Sequence, residues 1–451
     1  MRFPQRPPKA DLDLSTIPSC TLVKILFAHN SPVLPDGRYL HWDDLRNRVP
    51  PDGLTHEEWW FAQSQARRST RVLIPDFLEA GRPFWYCRLD VIDRATHELD
   101  RQDATREMLT AMSEYSVRQS YRIDQLIEEA INSSLIEGAK LTTRAQAKQM
   151  ILDGMQPRSH GERMVANNYK AMVRLLELYQ KELTLDDLLE IHSILGEEAL
   201  DVENCAGRLR TSGENVRVED NEGEVWFRPA PADELPNRLN ALLRFANAQD
   251  QKAFLHPLVR AIVLHFWLAY LHPFVDGNGR MSRALFYWQM LRSGYDFAQY
   301  LSISGPIDKS RRAHYMAFVH TETDDGDLTY FILNQLAVLR RATDDLLAHL
   351  KQRSERLGHL LQALSLAHEF NSRQQAVLTY LGRKPQASVT VTGHATSHRV
   401  TYLTARKDLQ ALERKGLLRR VKQGKTDRYL PTEDFVSKFM RGIETLKTHP
   451  V

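Results

Sequence analysis

From residue 106 to about 350 the apolar residues of this chain recur at three- and four-residue steps, a spacing that calls for helices packed around a shared core. The stretch RIDQLIEEAINSSLIEG sets the pattern, with Ile123, Leu126, Ile127, Ala130, Ile131 and Leu135 on one stripe. Further helices are predicted over 142–153, 162–182, 185–198, 232–248, 254–271, 278–293, 309–324 and 327–350, each bounded by Gly, Pro or a capping residue. One segment breaks the rule. Between Thr211 and Phe227, Val216, Val218, Val225 and Phe227 alternate with polar residues on either side of an Asp-Asn-Glu-Gly turn, the pattern of a β-hairpin.

A chain of 451 residues exceeds the usual single domain, and the pattern divides it at 1–105, 106–350 and 351–451. In the first part, the runs CTLVKILF and RVLIPDF read as strands, with PDG turns at 35–37 and 51–53. With Trp42, Trp59, Trp60, Trp85 and Tyr86 they predict a small α/β extension of unassigned role. The opening MRFPQRPPKADLDLS places prolines and acids where a secretory signal needs an apolar core. The longest apolar run, AIVLHFWLAYL at 261–271, contains His265 and is far shorter than the roughly 20 residues of a membrane span. No membrane partner is expected. Cys20, Cys87 and Cys205 stand far apart, without CxxC pairs, which argues against a disulfide framework or a zinc site and for a reducing cytoplasm.

HPFVDGNGRMSR, at 272–283, falls between two of the strongest predicted helices. Pro273 ends the first, because the residue before proline is pushed out of α geometry, so His272 stands at a helix exit. The second begins near Asn278 and points its free N–H groups into a Gly-rich turn, which suits an anion. Arg280 and Arg283, one turn apart, can hold two successive anionic groups. A GxG loop alone is common, and a histidine before proline is more often structural than basic. Together, a base, an acid, an open turn and two arginines match what nucleotide transfer needs.

The same element resembles the signature of the Fic family, HPFx(D/E)GNGRxxR, at each specified position. The resemblance extends over roughly 115–345 and includes Ser133 to Gly138, the GRLR at 207–210 and GDLT at 326–329. It implies a mainly α fold, an all-α core with a β-hairpin flap, and transfer of AMP from ATP to a Ser, Thr or Tyr hydroxyl of a target protein. By position it makes His272 the general base, Phe274 a loop anchor and Asp276 the ligand of Mg2+. Gly277, Asn278 and Gly279 become the anion nest, Arg280 the β-phosphate ligand and Arg283 the γ-phosphate ligand. The hairpin at 211–227 is expected to clamp the target by strand addition. Tyr315 is expected to border the adenine. Gly279 stands where related kinase-like toxins carry lysine, which favours AMP transfer. Relatives that transfer UMP or phosphocholine, or remove AMP, share the signature and remain alternatives.

The stretch from Ser133 to Gly138 resembles the inhibitory motif of the class with its own N-terminal inhibitory helix. Glu137 is then expected to pair with Arg283 in the place of the γ-phosphate. Its alternative is a solvated acid at a helix end stopped by Gly138.

Net charge is only +3, but residues 401–430 carry nine Lys and Arg against three acids. Thr401 is expected to cap a helix with Leu403, Leu409 and Leu412 facing inward, Gly416 to stop it, and Gly424 to turn a β-ribbon. This resembles a winged helix-turn-helix domain. Arg406 and Lys407 on its recognition helix, with Lys422, Lys425 and Arg428 on its wing, are then expected to contact DNA phosphates. The alternative is a protein-interaction domain with solvated charges. Two functions compete: a protein adenylyltransferase, and a DNA-binding transcriptional regulator with the Fic module as nucleotide sensor. A base at position 272 favours the enzyme. Either is compatible with a homodimer.

Overall fold

A computed structural model describes residues 3–8, 17–101, 115–141, 143–200, 202, 204–219, 223–249, 254–366, 370–383, 387–423 and 426–432. The chain divides into two compact units, residues 1–103 with 121–344, and residues 104–120 with 345–451.

The first unit opens with a departure from expectation. CTLVKILF is helical, as α1 (Ser19–Val23) followed by a π-helical turn at Lys24–Ala28. A strand there would need a partner for its backbone groups, and among the described residues no strand precedes Arg71. Ile25 instead enters a cluster with Trp42, Leu45, Trp59, Trp60 and Phe61. Those residues come from α2 (Trp42–Leu45) and α3 (His56–Ser69), the latter started by a reciprocal capping box between Thr55 and Glu58. RVLIPDF is a strand as expected: β1 (Arg71–Glu79) pairs antiparallel with β2 (Arg82–Cys87), and α4 (Asp90–Arg101) follows.

The GDLT segment gives this hairpin a neighbour. Trp85 N–H donates to Gly326 O at 3.2 Å, Leu328 N–H to Trp85 O at 2.7 Å, and Cys87 N–H to Thr329 Oγ1 at 2.8 Å. Beside this seam the buried Arg67 lies over the Tyr39 ring and donates to Tyr330 Oη at 2.8 Å. The N-terminal extension therefore packs as part of the helical core.

That core comprises α5 (Tyr115–Ile136), α6 (Arg144–Leu152), α7 (His160–Leu178), α8 (Leu185–Gly196), α9 (Leu235–Ala246), α10 (Pro257–Leu271) and α11 (Asn278–Arg292). A two-stranded hairpin, β3 (Val218–Glu219) and β4 (Val225–Phe227), interrupts it between α8 and α9, with Val218 opposite Phe227. After α11 come α12 (Ser304–Lys309), α13 (Arg311–Thr323) and α14 (Thr329–Leu366). The single helix predicted over 309–324 breaks at Ser310, where φ is −138°. The last continues past 350 because no proline stops it.

Thirteen of the fifteen residues of α10 and thirteen of the fifteen of α11 are buried, so both are central helices rather than amphipathic surface ones. Trp267 stacks on Phe77 of β1 at 4.2 Å, and truncating such a ring to alanine costs about 3–5 kcal/mol. This rigid pair carries the turn at 272–277.

The second unit holds α15 (Ser372–Arg383), β5 (Val389–Thr390), α16 (Val391–His398), α17 (Tyr402–Arg414), β6 (Leu418–Gln423) and β7 (Thr426–Pro431), with sheet order β5-β7-β6. Thr401 Oγ1 accepts from Thr404 N–H, and Gly416, at φ 69°, follows the helix end. Leu409 and Leu412 are buried, but Leu403 is 68% exposed. The inward stripe runs through Ala405, Leu409 and Leu412 at i, i+4 and i+7, which turns position 403 to the opposite face. Below the helix, the buried Asp408 carboxylate accepts from Arg373 Nε at 2.7 Å and Asn371 Nδ2 at 2.9 Å.

Among the described residues no helix is long and apolar enough to cross a membrane, and Cys20, Cys87 and Cys205 are free thiols.

Candidate active site at the turn between two buried helices

Helix α10 ends at Leu271, and His272 takes the left-handed conformation, φ 49° and ψ 56°. Proline at 273 excludes the α region, and the left-handed twist swings the chain sharply away from the helix axis. His272 Nδ1 lies 2.9 Å from Ala269 O. A carbonyl only accepts, so Nδ1 carries the hydrogen and Nε2 keeps its lone pair. Burial lowers the His272 pKa below its ordinary value; the Ala269 bond and the charges of Glu137 and Asp276 oppose this, and Arg210 reinforces it. The imidazole is therefore neutral and its Nε2 basic.

Phe274 is buried, as expected of an anchor. The Asn278 side chain closes the turn twice, accepting from Phe274 N–H at 3.0 Å and donating to Phe274 O at 2.9 Å. Its amide is thus spent on the turn, and only its backbone contributes to an anion site. Gly277, at φ 80°, is the N-cap of α11 and supplies no capping side chain. The first N–H groups of that helix have no acceptor within it. Asp276 accepts from Gly277 N–H, and its carboxylate, 34% exposed, lies 3.8 Å from Arg280. Arg280 itself is 1% exposed and donates to Leu195 O at 3.3 Å.

Arg283 meets the end of α5. Its Nε donates to Ser133 Oγ at 2.9 Å, and its Nη2 donates to Ser133 O at 3.0 Å and to Glu137 Oε1 at 2.9 Å. Glu137 is presented by a Schellman termination: Ala139 N–H bonds Ser134 O, Gly138 N–H bonds Leu135 O, and Gly138 has φ 85°. Its carboxylate lies so close to Gly279 that a β-carbon there would overlap Oε1. Three sequence-predicted elements, Ser133 with Glu137, Gly279 and Arg283, are thus in contact. Tyr315, 42% exposed, is near enough that the charges of Glu137 and Arg283 act on its phenol.

Several residues of the site went unread in the sequence. Arg311 donates to Leu135 O at 2.9 Å and so binds the carbonyl end of α5. Buried Glu129 ties the same helix to Ser302 and Ser304. From the GRLR segment, Arg210 Nε donates to His272 O at 2.7 Å and Nη2 to Ala230 O at 2.6 Å, while its N–H bonds Pro273 O at 2.9 Å. His192 bridges Gly207 N–H and Asp276 O. Arg210 falls in the GRLR that the resemblance marks, without a role; Arg311, Glu129 and His192 stand in no local pattern that distinguishes them from ordinary polar residues on a helix or in a loop. Phe227 of β4 packs on Tyr270 of α10 at 4.8 Å, so the hairpin is anchored beside the turn.

In the second unit Arg406, Lys407, Lys422 and Arg428 are exposed, and Arg428 donates to Ser388 Oγ at 3.2 Å. Lys425 and Gly424 lie outside the described residues. Among the described residues no group of three or more His, Cys, Asp or Glu side chains gathers to hold a metal ion.

Residues 182–290, which include the turn and most of its supports, match the Fic/DOC family. The chain carries a Fic domain. It is 32% identical over 203 residues to a protein named Protein adenylyltransferase Fic from Nematostella vectensis, an alignment covering 44% of this chain and 45% of that one. It is 31% identical over 203 residues to Protein adenylyltransferase fic-1 from Caenorhabditis elegans, covering 44% and 36%. The chain thus spans less than half the length of these relatives. A crystal structure of a Fic family protein from Desulfovibrio desulfuricans G20 superposes with a TM-score of 0.50 at 21% identity, over 77% of this chain and 98% of that one. It shares the fold.

Proposed function

We propose that this protein is an adenylyltransferase that moves AMP from ATP to a Ser, Thr or Tyr hydroxyl of a target protein and is held in check by Glu137. The observation that carries this reading is the tautomer of His272, fixed by Ala269 O with Nε2 left to accept a proton, on the same turn that leads through Gly277 into the helix carrying Arg280 and Arg283. The family match and the adenylyltransferase names of the relatives support it.

In this mechanism His272 Nε2 takes the proton of the target hydroxyl as its oxygen bonds to the α-phosphorus. The bond from that phosphorus to the bridging oxygen breaks, and pyrophosphate leaves. The backbone of Gly277 to Gly279 and the two arginines bind the phosphate oxygens and bear the developing charge. Mg2+ takes one or two carboxylates together with substrate phosphates, so a single, partly exposed Asp276 carboxylate at the phosphate end fits such an ion. Bound there, the ion would neutralise phosphate charge. The hairpin around β3 and β4 would receive the target as an added strand.

Glu137 occupies Arg283 and abuts Gly279, so the γ-phosphate and the inhibitory carboxylate compete for one place. Label from α-phosphate ATP, incubated with lysate, tests the function: Glu137→Gly should incorporate label and His272→Ala should not. No incorporation by Glu137→Gly would sink the reading. Removal of AMP by the same site is the alternative direction, and label release from a modified target distinguishes it.

For the second unit we infer a winged helix that binds DNA. The element order α-β-α-α-β-β and the exposed Arg406, Lys407, Lys422 and Arg428 support it.

A further inference from the structure

We infer that His192 is a positioning residue that locks the Asp276 end of the catalytic turn to the base of the flap, an inference that rests on the nucleotide-transfer reading of residues 272–283. His192 lies on α8, 80 or more positions from the turn, and is fully buried. Gly207 N–H donates to its Nδ1 at 3.0 Å. A hydrogen on Nδ1 would face that donor, so Nδ1 is bare and Nε2 carries the hydrogen, which it donates to Asp276 O at 2.9 Å. One ring therefore joins the GRLR segment, where the flap begins, to the residue whose carboxylate faces the phosphate site.

Its remaining surface is also occupied. The ring stacks on Phe274 with centroids 3.7 Å apart and planes within 8°. A β-carbon at Gly277 would stand 3.4 Å from His192 Nε2, so the imidazole forms the floor under the left-handed step into α11. Arg210 holds the other end of the same turn through His272 O. Base and acid sit at opposite ends of a five-residue span that has no regular secondary structure, and these two side chains set its length from outside. Misplacing reacting groups by about 1 Å costs on the order of a hundredfold in rate, which gives such a strut its value.

The experiment uses the full-length chain carrying Glu137→Gly, with His192→Phe, His192→Asn and His192→Gln added singly. Phenylalanine keeps the stack on Phe274 and removes both hydrogen bonds. Asparagine reaches only far enough to accept from Gly207 N–H. Glutamine reaches as far as Nε2 and can donate to Asp276 O. Measured quantities are kcat, KM for ATP, and melting temperature.

The expected result is a fall in kcat of about tenfold or more for phenylalanine with a smaller change in KM, because the arginines still hold ATP while its alignment with His272 is lost. Glutamine should recover most of that loss and asparagine little of it. Glutamine no better than asparagine, or kcat that follows melting temperature across the variants, would overturn the inference and leave His192 a packing residue. If the phenylalanine variant does not fold, the glutamine and asparagine pair decides. Absence of both ATP binding and transfer in Glu137→Gly with His192 intact would instead remove the functional reading, and the inference with it.

Discussion

Replacing Glu137 by glycine should release the enzyme, and the size of the release can be worked from the contact. Arg283 and Glu137 approach to 2.9 Å, with side chains 4% and 26% exposed. Unit charges about 4 Å apart attract by roughly 4 kcal/mol at an effective dielectric near 20. Desolvation of the two ions offsets part of this. Taking about half as the net bias gives ~2 kcal/mol, and at ~1.4 kcal/mol per tenfold the open arrangement is then a few percent of the population. Glu137→Gly should therefore raise AMP incorporation, self-modification included, by about thirtyfold, measured with α-phosphate-labelled ATP. Glu137→Gln keeps the bulk against Gly279 and removes the charge, so it should release less than glycine. Arg283→Ala should be inactive alone and in combination, since the γ-phosphate loses its ligand. Unchanged incorporation in Glu137→Gly would refute the argument and make the ion pair a helix-end contact only.

His272→Ala should abolish transfer while leaving ATP affinity within about threefold, because the phosphate ligands remain; loss of ATP binding to the same extent would make the histidine structural. The base must be neutral to act, and burial lowers its pKa, so kcat/KM for the released enzyme should stay level from pH 8 to 7 and fall only below the ordinary histidine value of about 6.5. An acid limb above that value would contradict the burial argument. Neutralising Arg406 and Lys407 should each reduce the slope of log affinity for DNA against log salt by about one, and a full-length chain that does not bind DNA at low salt would leave the protein-interaction alternative. Asp408→Ala removes the buried acceptor shared by Arg373 and Asn371 and should give the second unit an earlier thermal transition, with AMP transfer by the first unit retained.

How much of this was legible in the sequence depended on whether the controlling interaction is local. The helices of the core follow from three- and four-residue spacing, and the helix end at His272 follows from the proline after it, although the left-handed turn it takes there does not. The cap at Thr401 and the stop at Gly416 are local too. CTLVKILF failed because an apolar run is compatible with either period, and the absence of a neighbouring strand among the described residues decides the matter only in three dimensions. Leu403 failed by assigning a stripe from residue type rather than angle; Ala405, smaller and less conspicuous, holds the inward position.

The supports of the turn were illegible for a further reason. A histidine such as His192, bonded to one backbone N–H and one backbone carbonyl, leaves no side-chain partner for a sequence to display. Arg311 likewise binds a carbonyl, which every residue possesses, and for the same reason the GRLR segment could be marked without a role for Arg210. Glu137 with Arg283 differs because two side chains of opposite charge must both be present, and each lies in a segment with its own recognisable pattern. Gly279 adds the remaining constraint. The absence of a β-carbon at 279 leaves room for the Glu137 carboxylate, and on the proposed function the same room would take a phosphate of ATP. If that function holds, catalysis and inhibition are tied to one pair of positions, and a substitution at 279 that excludes Glu137 should also crowd the nucleotide and lower transfer.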